Sequence, residues 1–324
     1  MARSGLPTMI QRAPAERERA PHGDERRVRV MSSAEVVQHF TKSRVVELPS
    51  FRGLCNALKA LGIAAAVKTL RETRKGRVSV LDIGCGKGGD VGKWMPHRPK
   101  AFLGVDGSES NIEEARARHT TFVANGRGSM PASFVAADLC APRSRLPVED
   151  ATIDIACSHF FFQFAAQREQ MLDGLVLECA RAVAPGGIFI GLIPDGDRIL
   201  SLLQGTGNAF RFGHFHLRKC EGVDYSMKAS PYGRAYGFSF GEQACTEYVL
   251  VPALLQKHLQ AAGFEGVLSE GAMSIAAQDF FLQQSDRESV TANILKGQHA
   301  SHTDWLTLGL FRVFIARRAA SDAQ

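Results

Sequence analysis

The stretch VSVLDIGCGKGGDVGKWM, Val78 to Met95, constrains the fold of this chain more than any other. An apolar run fit for a buried strand breaks into glycines and then into a helical pattern. Gly84, Gly86 and Gly89 satisfy G-x-G-x-x-G. Such a loop lets a ligand approach the backbone beyond the carboxyl end of the first strand of a parallel sheet. Taken alone, it also suits a tight strand-to-helix turn with no ligand.

Downstream of the loop the strand–helix alternation repeats. AFLGVDG, SFVAADL, TIDIACSHF and GIFIGLIP read as further strands, with ESNIEEARARH and QREQMLDGLVLECARAV as helices between them. This spacing predicts an α/β fold with a mostly parallel sheet covered by helices on both faces. Upstream, helical patterns start near Met31 and run through FRGLCNALKALGIAAAVKTL. Towards the C-terminus, ALLQKHLQAAGF is a helix and LGLFRVFIARR a final strand, while residues 280–303 read as a polar loop. From 205 to 243 the chain turns rich in glycine, aromatic and basic residues, and YGFSF alternates as a strand would. This segment is an insertion after the fifth strand. No internal repeat is visible.

The 324 residues are 45% hydrophobic and 22% charged, enough for one large core. Residues 1–30 mix Pro, Gly, Arg and Glu without an apolar period and read as a disordered basic arm, leaving 31–324 as a single domain. The arm holds seven arginines against four acids, so half of the chain's net +6 belongs to it. No run approaches eighteen consecutive apolar residues, so no membrane span is expected. The N-terminus lacks the apolar region of a secretory signal. Seven scattered cysteines with no C-x-x-C pair read as reduced thiols of an intracellular protein. His214 and His216 alternate without a second ligand pair, so no metal site is expected.

The residues at the strand ends suggest what the loop holds. Asp82 and Asp90 bracket it, an awkward arrangement for an anionic pyrophosphate but suited to the sulfonium and ammonium of S-adenosylmethionine. Asp106, closing the second strand, sits where an acid can accept both ribose hydroxyls. Asp138, ending the third, can accept from the adenine amino group. D-x-G-x-G, VDGS, AADL and APGG together resemble class I S-adenosylmethionine-dependent methyltransferases. That resemblance implies a Rossmann-like seven-stranded sheet, with S-adenosylmethionine as donor and S-adenosylhomocysteine as product.

LDIGCGKGGDVGKW is similar, more narrowly, to the mRNA cap guanine-N7 methyltransferases. CNALK, GLIPDGD, CTEYVLVPALL and FRVFIARR extend the resemblance over roughly residues 31 to 318. It implies donor contacts from Lys59, Asp82, Gly84, Gly86, Asp90, Asp106, Asp138 and His159. It implies cap contacts from Asn56, Gln163, Phe164, Pro194, Glu247 and Phe311. The chain departs from the family with Ala57 for a Trp, Phe164 and Phe311 for tyrosines, and His159 and Gln163 for Gln and His. These changes touch the acceptor side more than the donor side. Lys59 also reads as an exposed lysine on an amphipathic helix, Asn56 as a helix-lining residue, and Glu247 as a solvated glutamate at a helix start.

Guanine N7 has a lone pair and no proton to lose, and the sequence offers no convincing His–Asp or lysine-based acid–base pair. An alcohol methylase would be expected to need one. Glu247 is the expected guanine-orienting carboxylate, and the insertion the expected source of stacking and phosphate contacts to a capped RNA end. The resemblance implies a nuclear monomeric enzyme methylating mRNA caps, with a capping or transcription partner reached through the arm. No guanylyltransferase or triphosphatase module fits the remaining length. The competing readings are a methylase for a small molecule, a silent RNA- or partner-binding protein of this fold, and, last, a dehydrogenase.

Overall fold

Strand β1 (Ser79–Ile83) is buried along its whole length, and everything else in the main sheet is arranged around it. In this computed structural model the described residues are 26–42, 49–126, 128, 130–141, 144–240, 243–296 and 299–320. β1 pairs in parallel with β2 (Ala101–Asp106) on one side and β4 (Ile153–His159) on the other. β3 (Ala132–Ala136) extends the β2 side, and β5 (Val183–Pro194) the β4 side, both in parallel. The order reverses direction between β1 and β4, and this switch point is where open parallel sheets bind ligands.

The remaining strands come after β5 in the chain. β6 (Ala209–Phe212), β7 (Phe215–Lys219), β8 (Ala235–Phe240) and β9 (Gln243–Tyr248) form a separate antiparallel sheet in that order. β10 (Phe264–Gly266) belongs to the main sheet again. β11 (Ser274–Ala276) and β12 (Phe311–Arg318) complete the set, with β12 antiparallel to β5, β10 and β11. The main path β10-β12-β5-β4-β1-β2-β3 therefore has the seven strands expected, mostly parallel, with β11 added against β12.

The helix Pro49–Arg71 packs across one face. By length and composition it could cross a membrane, and it interrupts its apolar run with too few charges to be excluded on sequence. Instead 61% of its apolar window is buried inside the protein, with Leu54, Leu58 and Leu61 in the core. The other face is covered by helices Glu169–Ala182 and Pro252–Ala261, through Leu172, Val176, Cys179 and Leu259.

Several expectations need correction. Residues 280–303 are not a loop: helices Ala277–Gln283 and Arg287–Leu295 occupy most of the segment, and His302–Leu308 begins at its end. The middle helix seals against Pro49–Arg71 so closely that a Cβ on Gly53 would stand 2.2 Å from Leu295 Cδ2. A capping box, Ser301 with Asp304, starts the third helix. Of the arm expected over residues 1–30, residues 26–30 are fastened rather than loose. Val28 donates to Lys219 O at 3.0 Å and accepts from Glu221 N at 2.9 Å, while Met31 N–H reaches Thr246 Oγ1 at 2.9 Å. Residues 1–25 lie outside the described residues. The second sheet also runs to Tyr248, past residue 243, so Glu247 stands on a strand and not at a helix start.

Candidate active site

The strand ends β1, β2, β4 and β5 bring most of the expected residues to one place. Gly84 takes φ +72°, and a Cβ there would lie 2.5 Å from the Phe161 ring. Both facts demand glycine. Gly86 takes φ +50° and has open space on its Cβ side. The third structurally required glycine is Gly88, not Gly89: Gly88 has φ +68° and a Cβ there would lie 3.1 Å from Ala115 Cα, whereas a Cβ on Gly89 would meet nothing within 4 Å. The fingerprint spacing therefore found the loop but misplaced its last contact.

Asp106 holds that loop. Its Oδ2 accepts from Gly86 N at 2.9 Å, and its Oδ1 accepts from Ser108 N at 3.0 Å and Asn111 Nδ2 at 3.1 Å. A carboxylate offers about four lone-pair positions, so room remains for one ribose hydroxyl more readily than for two. Asp138 stands two residues beyond the end of β3, exposed, with Oδ1 closing a turn on Cys140 N at 2.9 Å.

Under the loop lies a buried ionic cluster. Asp90 accepts from Lys93 at 2.8 Å, His159 Nδ1 at 2.9 Å and Lys59 at 3.2 Å. Burial alone would push its carboxyl up, but the two ammonium groups and the imidazole hydrogen bond hold it well below the usual carboxylate range. Burial lowers His159, against the pull of Asp90, so its imidazole is neutral near pH 7. This is a His–Asp pair that sequence reading did not find, because the partners are 69 residues apart. Lys59 reaches Asp90 and covers the Phe160 ring at 5.2 Å, so it is not a free surface lysine. Asn56 is half-buried one turn earlier on the same helix.

Asp82 is the opposite case. It is 2% exposed, its Oδ1 receives only the Cys157 thiol at 3.4 Å, and its Oδ2 has no partner. Burial, with the nearby charge of Asp90, raises its carboxyl to about 7. A buried carboxylate oxygen with nothing to accept from is a site for a donor or cation.

Phe160 joins this cluster to a second one. Its backbone takes φ +62°, uncommon for a bulky side chain, and is held by its N–H on Leu192 O at 2.7 Å. Its ring meets Phe311 edge-on at 5.0 Å, and Phe311 meets Phe215 of the second sheet at 5.5 Å. Phe311 is paired in register with Pro194. The Phe160 carbonyl accepts from Gln163 Nε2 at 3.0 Å, and the same amide lies 3.4 Å from Glu247 Oε1. Tyr236, fully buried on β8, donates to Glu247 Oε2 at 2.7 Å. Burial raises the Glu247 carboxyl to about 7, against these two hydrogen bonds. Gln163 Oε1 is buried and has no partner. Phe164 is half-buried, 6.3 Å from Phe161.

Sequence reading missed Lys93, Phe160, Phe161 and Tyr236. Only Tyr236 carried a readable signal, since it and Glu247 face each other across β8 and β9 once YGFSF and CTEYV are paired.

The family model for the mRNA (guanine-N(7))-methyltransferase domain matches residues 25–301. The chain belongs to that family. Among its relatives, mRNA cap guanine-N(7) methyltransferase 1 of Oryza sativa subsp. japonica is 30% identical over 165 residues, 50% of this chain and 44% of that protein. The mRNA cap guanine-N(7) methyltransferase of Caenorhabditis briggsae is 28% identical over 244 residues, 70% of this chain and 65% of that one. The chain spans about half the length of the curated relatives it matches first. In fold it is similar to the CcbJ methyltransferase of Streptomyces caelestis, with a TM-score of 0.54 at 15% identity over 88% of this chain and 96% of that one. S-adenosylmethionine is the cofactor this family and fold imply. The site fits it: an open glycine loop, a part-satisfied Asp106 beside the loop, and a buried Asp82 oxygen awaiting a donor.

Proposed function

We propose that this protein transfers the methyl group of S-adenosylmethionine to N7 of the guanosine in a 5′ GpppN RNA cap. One observation carries the reading. Glu247 Oε1 and the partnerless Gln163 Oε1 are buried acceptors on adjoining side chains, and guanine offers two adjacent donors, N1–H and the exocyclic amine. An unpartnered buried acceptor costs about 1–3 kcal/mol, which a guanine edge recovers.

When bound, S-adenosylmethionine supplies a methyl group on a cationic sulfonium. Asp82 receives a donor from its amino-acid end, Asp106 a ribose hydroxyl, and Asp138 the adenine amine. Lys59, Asp90, Lys93 and His159 form the wall that fixes this end of the cleft. Asn56, Phe164, Pro194 and Phe311 line the acceptor side. Glu247, ionised, holds the guanine by N1–H and balances the positive charge that grows on the purine as N7 is methylated. N7 has no proton to lose, so alignment and water exclusion suffice, and alignment is worth roughly 7–11 kcal/mol in favourable cases. Acting on messenger RNA, the protein works in the nucleus as a monomer. Its basic arm is the contact for a capping or transcription partner.

The neutral His159, held by Asp90, favours a second reading: base-assisted methylation of a hydroxyl on a small molecule. Labelled methyl transfer to RNA ending in GpppN, with uncapped triphosphate RNA as control and digestion of the product, tests the first. Label recovered as 7-methylguanosine, and kept in His159→Gln, is the expected result. No label in capped RNA, with S-adenosylhomocysteine still bound, would favour the second.

A further inference from the structure

The second sheet has two unlike faces. One, carrying Phe215, Leu217, Tyr236 and Glu247, is buried against the site. The other is set by the register: Arg211 stands opposite His216, and Arg218 opposite Gly237. A Cβ on Gly237 would lie 3.5 Å from Arg218 Cβ, so these positions share the outward side, which Val28 of the fastened segment covers at Gly237, with its Cγ2 2.7 Å from that Cβ. Side chains alternate along a strand, so Arg211, His216 and Arg218 form one outward patch. Burial lowers His216, and the nearby charges of Arg211 and Arg218 add to it. Lys219, opposite Tyr236, lies on the other face and donates to Gly205 O at 2.8 Å. Among the described residues neither Arg211 nor Arg218 pairs with a carboxylate within salt-bridge distance.

We propose that this outward face is a track for the phosphates of the RNA chain that extends from the cap. It rests on the proposed function, in which the site takes a capped RNA end. Two unneutralised arginines, Arg211 and Arg218, on one face fit a polyanion, and RNA is favoured because its phosphates must leave the site close by. The patch is also held rigidly beside that site. The β6–β7 turn is clamped by His214 on Asp304 at 2.8 Å and by its backbone N–H on Thr307 Oγ1 at 3.0 Å. Next in sequence, Phe215 touches Phe311. RNA leaving the acceptor side therefore meets the hairpin at a fixed place.

The test compares the GpppA dinucleotide with capped RNA of about twenty nucleotides in the full chain and in Arg211→Ala/Arg218→Ala. KM in the wild type should fall with length, and the variant should lose that gain while methylating GpppA normally. Each single-strand phosphate contact contributes about 0.7 to the log–log salt slope, so two contacts make wild-type affinity fall about sevenfold more than the variant's over a fourfold rise in salt. Arg211→Lys/Arg218→Lys should keep the length gain, which a purely structural role of the arginines would not predict. Equal KM for dinucleotide and long RNA in the wild type would overturn the proposal and leave an acidic protein as the better occupant. Failure to methylate GpppA at all would count against the functional reading instead. Salt-dependent binding of uncapped twenty-nucleotide RNA, lost in the double variant, then still decides the track: its presence supports it and its absence overturns it.

Discussion

The two halves of the site are built differently. On the donor side, Asp90 is surrounded by two lysines and a histidine, and Asp106 already holds its own loop. Most charges there are satisfied, the exception being Asp82, whose Oδ2 has no partner and whose carboxyl is raised to about 7. On the acceptor side, Glu247 is ringed by neutral partners only, its carboxyl is raised to about 7, and the Gln163 oxygen beside it is unpartnered. That half waits for a ligand to complete it. The difference is one of degree: the donor side holds one unsatisfied carboxylate, Asp82, among paired charges, while the acceptor side offers its carboxylate neutral partners alone.

The sharpest way to break this comparison is a crossed pair of substitutions. Asp106→Ala removes the acceptor of three donors, so affinity for S-adenosylhomocysteine should drop by at least about 100-fold. Glu247→Ala should leave that affinity intact and lower methyl transfer by about 10²–10³. Titration calorimetry and single-turnover transfer read the two effects, and equal loss of donor affinity in both variants would erase the division.

A smaller effect is expected in stability. The Glu247 carboxyl titrates at about 7 when folded against 4.5 ordinarily, so the folded state binds the proton more tightly. Its contribution is full below pH 4.5 and is lost as pH rises through 7, amounting to about 3 kcal/mol at most. Denaturant midpoints should therefore fall less for Glu247→Gln than for the wild type between pH 5 and pH 8. Parallel curves would mean that Glu247 ionises normally. Smallest is Tyr236→Phe, which removes one hydrogen bond to Glu247: cap affinity should fall roughly 2–10-fold with donor affinity unchanged.

The same division explains what the sequence revealed. β1, the glycine loop and Asp106 lie within about thirty residues of one another, and strand ends in a parallel sheet converge by topology, so the donor side was legible. Even there the His159–Asp90 pair escaped, since only the β1–β4 pairing brings its members together. The acceptor side depends on a contact between Gln163, on the short helix Phe162–Ala165, and Glu247, on β9, 84 residues apart. Nothing local announced β9, so Glu247 looked like the start of a helix. The helices after residue 277 were hidden for a similar reason. Their polar faces dominate the sequence, while their few apolar contacts, such as Leu295 against Gly53, appear only in the packed molecule. The Ser301–Asp304 capping box was the one local sign of structure there.

The central claim is that guanine is received by an ionised Glu247 that is about half protonated in the free protein at pH 7. Calorimetric titration of GpppA at pH 7, in buffers of different ionisation enthalpy, tests it directly. The account predicts release of about half a proton on binding to the wild type and none in Glu247→Gln. Binding without proton release, or the same release in both proteins, would contradict it.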